Sequence, residues 1–196
     1  MFPRRIAAAG ASLLLLTLGL GCYQTKTPLR SAAIATVDRA YVGDFETPDT
    51  ILAGLIDKSG NRQNSKVPDN GKMASLVIHN LDNRQYFVEY FETGDRSKEP
   101  VRMVGYTAKV KGVMFANLRE LNDDGSIDDQ FLIMRVAISP DHAKLSIREL
   151  KDEFFKDKDV SSSEALEKVI EANLDNDQMY ERPADIFTRK APTTQP

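Results

Sequence analysis

The sequence predicts a mainly β (α+β) domain: an antiparallel meander of about seven or eight strands, able to close into a barrel, with a C-terminal helix. Three observations predict it. Short β-rich runs recur between positions 73 and 149, with turn chemistry between them. Successive runs lie only a few residues apart, which suits hairpins and leaves no room for the crossovers of a parallel sheet. One stretch after position 160 carries a helix-start signal and then apolar residues at helical spacing.

The elements follow in order. Residues 32–41 place Ile34, Val37, Ala40 and Tyr41 at helical spacing and predict a short helix. Gly43-Asp44-Phe45 opens the first strand. Residues 50–57 (TILAGLID) are apolar and fit either a strand or a helix. Residues 58–72, rich in Gly, Asn and Ser, read as a long loop. Residues 73–79 (MASLVIH) and 85–92 (QYFVEYFE) form a hairpin around Asn80-Leu81-Asp82-Asn83-Arg84. Residues 101–110 and 113–121 form a second hairpin around Lys111-Gly112. An acidic loop (NDDGSIDD, 122–129) leads to residues 131–139 (FLIMRVAIS), the most apolar strand. Pro140 ends that strand, Asp141-His142 turns the chain, and residues 144–149 form the next strand. Residues 150–157 begin a helix with Phe154 and Phe155 inward. Ser161 and Glu164 then form a capping-box pair ahead of Ala165, Leu166, Val169, Ile170 and Leu174 on one helix face. A last short strand falls at residues 186–189.

The N-terminus differs in kind. Arg4 and Arg5 precede fifteen uncharged residues, Ile6 to Leu20, with four consecutive leucines at 13–16. That is the length of a signal-peptide core and short of the ~20 residues that span a bilayer. Gly19 and Gly21 are small, as a signal peptidase requires, and Cys22 follows directly. Cys22 is the single cysteine of the chain, so the remainder has no disulfide, thiolate metal site or cysteine nucleophile. Leu18-Gly19-Leu20-Gly21-Cys22 resembles the lipobox of bacterial lipoproteins. That resemblance implies cleavage before Cys22, a diacylglyceryl group on its thiol and an acyl chain on its new amine. The usual leucine three places before the cysteine is here Gly19, so ordinary secretion stands as the alternative. The organisation expected is a signal peptide (1–21), a lipidated cysteine and flexible tether (22–31), one β-rich domain (32–190) and a disordered tail (191–196).

Without Arg4 and Arg5 the 26 basic residues become 24, against 29 acidic ones, a net charge of −5. This balance argues against nucleic acid as a partner and against electrostatic adhesion to anionic lipid. The expected partners are a membrane, through the lipid anchor, and either an envelope protein or a small apolar ligand.

No catalytic constellation emerges, and neither an enzyme activity nor a cofactor is expected. His79 and His142 lie at turns without metal-ligand spacing. The acidic loop fails as an EF-hand: aligning Gly125 with the loop glycine puts Phe131 where a bidentate glutamate is required. No glycine-rich phosphate loop and no Gly-x-Ser-x-Gly elbow are present.

On residues 85–92, Tyr86, Val88 and Tyr90 share one face and Phe87 and Phe91 the other. Such aromatics pack a core or line a ligand pocket. Gly43-x-Phe45 after a short helix resembles the Gly-x-Trp opening of lipocalins, as does the order of hairpins followed by a late helix. Lipocalins hold a small apolar ligand inside the barrel. The resemblance implies a ligand-lining role for Tyr86, Tyr90 and Tyr106, although the chain has no tryptophan. Two functions therefore stand: a lipid-anchored structural or interaction module of the cell envelope, and a carrier of a small apolar ligand or lipid.

Overall fold

A computed structural model describes residues 23–47, 73–91, 95–181 and 183–191. The signal segment, Cys22, the ambiguous run 50–57, the loop 58–72 and residues 192–196 lie outside them.

The described residues contain nine strands: β1 (Gln24–Thr25), β2 (Gly43–Thr47), β3 (Ala74–Asn80), β4 (Tyr86–Phe91), β5 (Val101–Val110), β6 (Val113–Glu120), β7 (Phe131–Ile138), β8 (Lys144–Glu149) and β9 (Asp185–Arg189). Two helices, α1 (Asp152–Phe155) and α2 (Ser163–Ala172), lie between β8 and β9. From β2 to β9 each strand pairs antiparallel with the next, and β9 pairs back onto β2. The result is a closed eight-stranded up-and-down barrel. Closure leaves no barrel strand with an unpaired edge, the usual route to edge-to-edge aggregation.

The turns sort the barrel into two ends. The β3–β4, β5–β6 and β7–β8 turns lie at one end, and the β4–β5 and β6–β7 loops at the other. Lys111 and Gly112 both adopt positive φ (45° and 88°), so the β5–β6 hairpin has the two-residue turn that matches strand twist.

Strand alternation separates two cores. Phe45, Leu76, Ile78, Tyr86, Val88, Tyr90, Met103, Met134, Val136, Leu145, Ile147 and Phe187 fill the barrel. A second core lies outside it, where Ala108, Val110, Phe115 and Ile133 meet Leu150, Phe155, Leu166, Ile170, Met179 and Tyr180. Strands β5 to β7 are thus largely apolar on both faces, which explains the run FLIMRVAI of β7, interrupted by Arg135 alone. Leu166 and Ile170 are wholly buried, as the helical spacing predicts.

Three local expectations need correction. Residues 32–41 form two 3-10 turns, Ala32–Ile34 and Arg39–Tyr41, instead of one helix. Ser31 and Asp38 each accept a bond from the backbone two residues on, and each turn ends in an extended residue, Ala35 and Val42. The cap of α2 is Ser162, whose Oγ accepts from Ala165 N at 3.1 Å, while Ser161 turns back to Asp159. No capping box forms, because position 165, three beyond the cap, is alanine. Helix α1 has only four residues.

The largest difference concerns residues 23–31, expected to be a free tether. They lie along the outside of the barrel as a strap. Tyr23 N donates to Leu150 O at 2.9 Å, and its ring stacks on Phe155 at 4.1 Å. Strand β1 then pairs with β7 through Gln24↔Leu132 and Thr25↔Phe131. Leu29 is fully buried, and its N–H donates to Asn117 Oδ1 at 2.7 Å. The polar composition of this segment hides these anchors, since the burial rests on two residues, Tyr23 and Leu29.

A clasp closes the end that carries the β3–β4, β5–β6 and β7–β8 turns, hereafter the capped end. The opposite end, where the described residues break off at Thr47 and resume at Met73, is the uncapped end. The Arg189 guanidinium lies 4.5 Å above the Phe45 ring and donates to Ala40 O, Val42 O and His142 O. It thereby ties the last strand to the first barrel strand and to the turn before it. Gly43 permits this approach, because a Cβ there would collide with the guanidinium. Arg189→Ala is expected to lower the unfolding free energy by about 2–4 kcal/mol, since it strips a charged donor from three carbonyls. Urea denaturation measures this. Replacing the exposed Lys109 by alanine should change stability by less than about 0.5 kcal/mol.

Candidate functional site

Two of the three tyrosines expected to line a ligand pocket point into the barrel. Tyr86 and Tyr90 are 4% and 2% exposed and belong to the interior core. They sit at opposite ends of β4. At the capped end, the Tyr86 hydroxyl accepts from Asp38 N (2.7 Å) and donates to Asp38 O (3.2 Å). It holds the second 3-10 turn across the barrel mouth, and Tyr41 from that turn plugs the opening as part of the interior core. The Tyr86 hydroxyl is therefore committed to structure.

Tyr106 does not join them. Strand alternation puts its side chain on the outer face with Ala108 and Val110, opposite Asn117. Its hydroxyl donates to Arg30 O at 2.7 Å, beneath the strap. Tyr106 still borders the interior cavity, beside Gly105, which has no side chain of its own to fill the space. A Cβ at Gly105 would drive into the Asn117 carbonyl of the neighbouring strand.

The cavity left inside the barrel measures about 50 Å³ and is walled by Leu76, Val88, Met103, Leu118, Met134 and Ile147 among others. Small-molecule sites usually measure about 300–1,000 Å³, and an engineered apolar cavity that admits benzene is about 150 Å³. The interior is thus filled mainly by its own side chains, Phe45 and Phe187 being completely buried. A larger space of about 310 Å³ lies outside, between the strap and the β5–β6 hairpin, bordered by Arg30, Asp38, Ile34, Lys109 and Met114. The Arg30 guanidinium there is already engaged by Glu167 of α2.

At the uncapped end the barrel holds polar side chains that the strand readings did not single out. Thr47, Glu149 and Asp185 are 1%, 3% and 5% exposed. Each continues an inward-facing series: Phe45 to Thr47, Leu145 and Ile147 to Glu149, Phe187 back to Asp185. Period-two alternation carried one step further would have placed them inside. None of the three is without a partner. Among the described residues, no group of three or more His, Cys, Asp or Glu side chains is arranged to hold a metal.

The remaining candidates are surface features. His79 stacks on Phe87 and lies 3.4 Å from Glu89, exposed to solvent. His142 occupies a turn at φ 57°. In the acidic loop, Asp124 accepts from both the N–H and the hydroxyl of Ser126, which lowers its pKa. Asp129 is held low by a hydrogen bond from Lys26. These carboxylates organise the loop and its contact with the strap.

The tyrosine pKa values report the same packing. Burial, aided by Asp38, pushes Tyr41 up to about 12. Burial also pushes Tyr106 up to about 12 against the opposing pull of Arg119. Both phenols are favoured in neutral form by the fold, so their contribution is intact below the unfolded value near 10 and lost as pH rises toward 12. An ultraviolet phenolate titration should find Tyr41 and Tyr106 un-ionised at pH 11, where unfolded chain shows all six tyrosines ionised. Stability should fall between about pH 10 and 12. Full ionisation of the native protein by pH 11 would contradict the buried placement of these rings.

No protein-family model, curated protein or solved structure matches this chain, so its function is read from its residues.

Proposed function

We propose that this chain is an exported cell-envelope protein, anchored by lipid on Cys22, whose barrel serves as a structural or interaction module. The observation that carries this reading is Cys22 itself: the sole cysteine, placed directly after an uncharged fifteen-residue run and a Gly-x-Gly pair. Chain order is compatible with it, since Tyr23, the residue directly after the cysteine, is packed against the barrel. Two acyl chains or more are needed for firm anchoring, because one gives only marginal binding.

The filled interior weighs for a module over a carrier. A space of about 50 Å³ holds a few water-sized groups and no lipid chain. The carrier reading keeps one favourable observation, the closed barrel with an apolar lining that resembles the lipocalin plan from Gly43-x-Phe45 onward. It requires the interior to expand around its ligand.

Cys22→Ser tests the anchor. The parent should partition with membranes, and the substituted protein should move to the soluble fraction or remain as an uncleaved precursor. Mass spectrometry of the N-terminal peptide should show an acylated cysteine at position 22. A parent protein with a free thiol there overturns the lipid anchor in favour of ordinary secretion. Native mass spectrometry addresses the module: the reading predicts a mass equal to that of the lipidated chain, and a co-purifying apolar molecule would favour the carrier.

A further inference from the structure

The strap fixes where the chain leaves the barrel, and that point lies at the uncapped end. Tyr23 is 4% exposed. Its N–H bonds to Leu150, which follows β8, and its ring covers Phe155 of α1. From there the chain runs toward the capped end. Lys26 pairs with Asp129 of the β6–β7 loop at 2.6 Å, Leu29 is buried against Asn117, and Arg30 pairs with Glu167. Thr27 N–H is satisfied by Thr25 Oγ1 at 3.0 Å. The strap therefore has attachments along its length.

Cys22 is covalently the residue that precedes Tyr23. One extended residue spans at most about 3.6 Å. A flexible tether of about ten residues would instead have a mean reach of roughly 17 Å and would let the domain turn freely. A lipid on Cys22 thus has no slack between it and the barrel.

We propose that the strap makes the lipid anchor an orienting device: the barrel rests on the phospholipid surface by its uncapped end, with α1 and the β6–β7 loop at the headgroups. The capped end, with the β3–β4, β5–β6 and β7–β8 turns, then faces the aqueous side. This rests on the anchored reading of Cys22 given above. The occupant of the surface is a lipid bilayer, because the segment beyond Tyr23 carries the acyl group. Among the described residues charge does not supply the attachment, because the β6–β7 loop and α1 add Asp123, Asp124, Asp128 and Asp152 at this end. Around the exit point, Lys26 is neutralised by Asp129 and Lys156 by Glu153. Lys158 lies over the Phe154 ring, 4.0 Å away, rather than reaching outward as an isolated cation. On a zwitterionic phosphatidylcholine surface the orientation should therefore be insensitive to salt.

The geometry gives two well-separated reporter positions. Asp157, just after α1, is exposed at the uncapped end, and Arg84, in the β3–β4 turn, is exposed at the capped end. A strand of eight residues spans about 25 Å, so the two lie at very different heights above a surface. Asp157→Cys and Arg84→Cys each introduce one thiol, since the acylated Cys22 sulfur is already a thioether. The full lipidated chain, labelled at either position with a fluorophore, is incorporated into phosphatidylcholine vesicles containing a headgroup quencher. Flotation of the same vesicles reports anchoring separately.

The expected result is several-fold quenching at position 157, little at position 84, and no change in either at high salt. Inserting about ten Gly/Ser residues between Cys22 and Tyr23 should leave flotation intact and abolish most of the difference. Protein that floats but is quenched equally at both positions overturns the orientation while leaving the anchor standing. Stronger quenching at position 84 overturns it as well. Protein that does not float overturns the anchor, and the orientation with it.

Discussion

Closure of the sheet is the constraint on which the rest of this molecule depends. Eight antiparallel strands can bury Phe45, Met134, Leu145 and Phe187 together only if the last strand returns to lie between β8 and β2. The return is not a hairpin. It passes through α1, α2 and a 3-10 turn before β9 forms, so the closing strand is separated from its partner β2 by most of the chain. Loop-closure entropy opposes such a pairing. The Arg189 clasp acts where that cost falls, holding β9 to Phe45, Ala40 and Val42 through one side chain. Gly43 is part of the same device because it leaves room for the guanidinium.

The chain outside the barrel follows from closure. A barrel made of strands that are apolar on one face only would need no cover. Here β5, β6 and β7 carry Val110, Phe115 and Ile133 on the outer face, fully buried. The connection from β8 to β9 supplies Phe155, Leu166, Ile170 and Met179 to cover them, and the strap supplies Tyr23 and Leu29. The helical crossover thus both closes the sheet and hides its apolar exterior. The strap shares that exterior core with α2, which is why Arg30 meets Glu167, and the β5–β6 turn reaches the same helix through Lys111 and Glu171.

Much of this was legible in the sequence. Period-two alternation and turn residues locate β3 to β9 to within one residue at each end, and Gly43-Asp44-Phe45 marks where β2 opens. They also assigned Tyr86 and Tyr90 to one face and Phe87 and Phe91 to the other. What was not legible depends on contacts far apart in the chain. Nothing local to Arg189 marks it as a clasp, because its acceptors lie at positions 40, 42 and 142. Nothing local to YQTKTPLR marks a docked strap, because Leu29 is buried by Asn117 and the outer core rather than by its neighbours. Tyr106, which borders the interior cavity from the outer face of its strand, was hard to place for a related reason. On a strand buried on both faces composition does not say which face is the interior; alternation groups Tyr106 with Ala108 and Val110, and the Arg30 carbonyl takes its hydroxyl on the outer face.

The same two-sided burial bears on what the barrel offers a partner. An interior holding about 50 Å³ of space has little to exchange with solvent, and its capped end is shut by Tyr41 and by the Tyr86 hydroxyl on Asp38. Protein interiors resist expansion because their side chains are already near crystal packing density. Admitting a lipid chain would require displacing several core residues at once, at a cost of the kind that cavity-forming substitutions expose. The outer surface has no such constraint. A module that works through its exterior can keep a filled barrel, and the filled barrel then becomes a rigid spacer between the proposed anchor at Cys22 and whatever meets the turns at the far end.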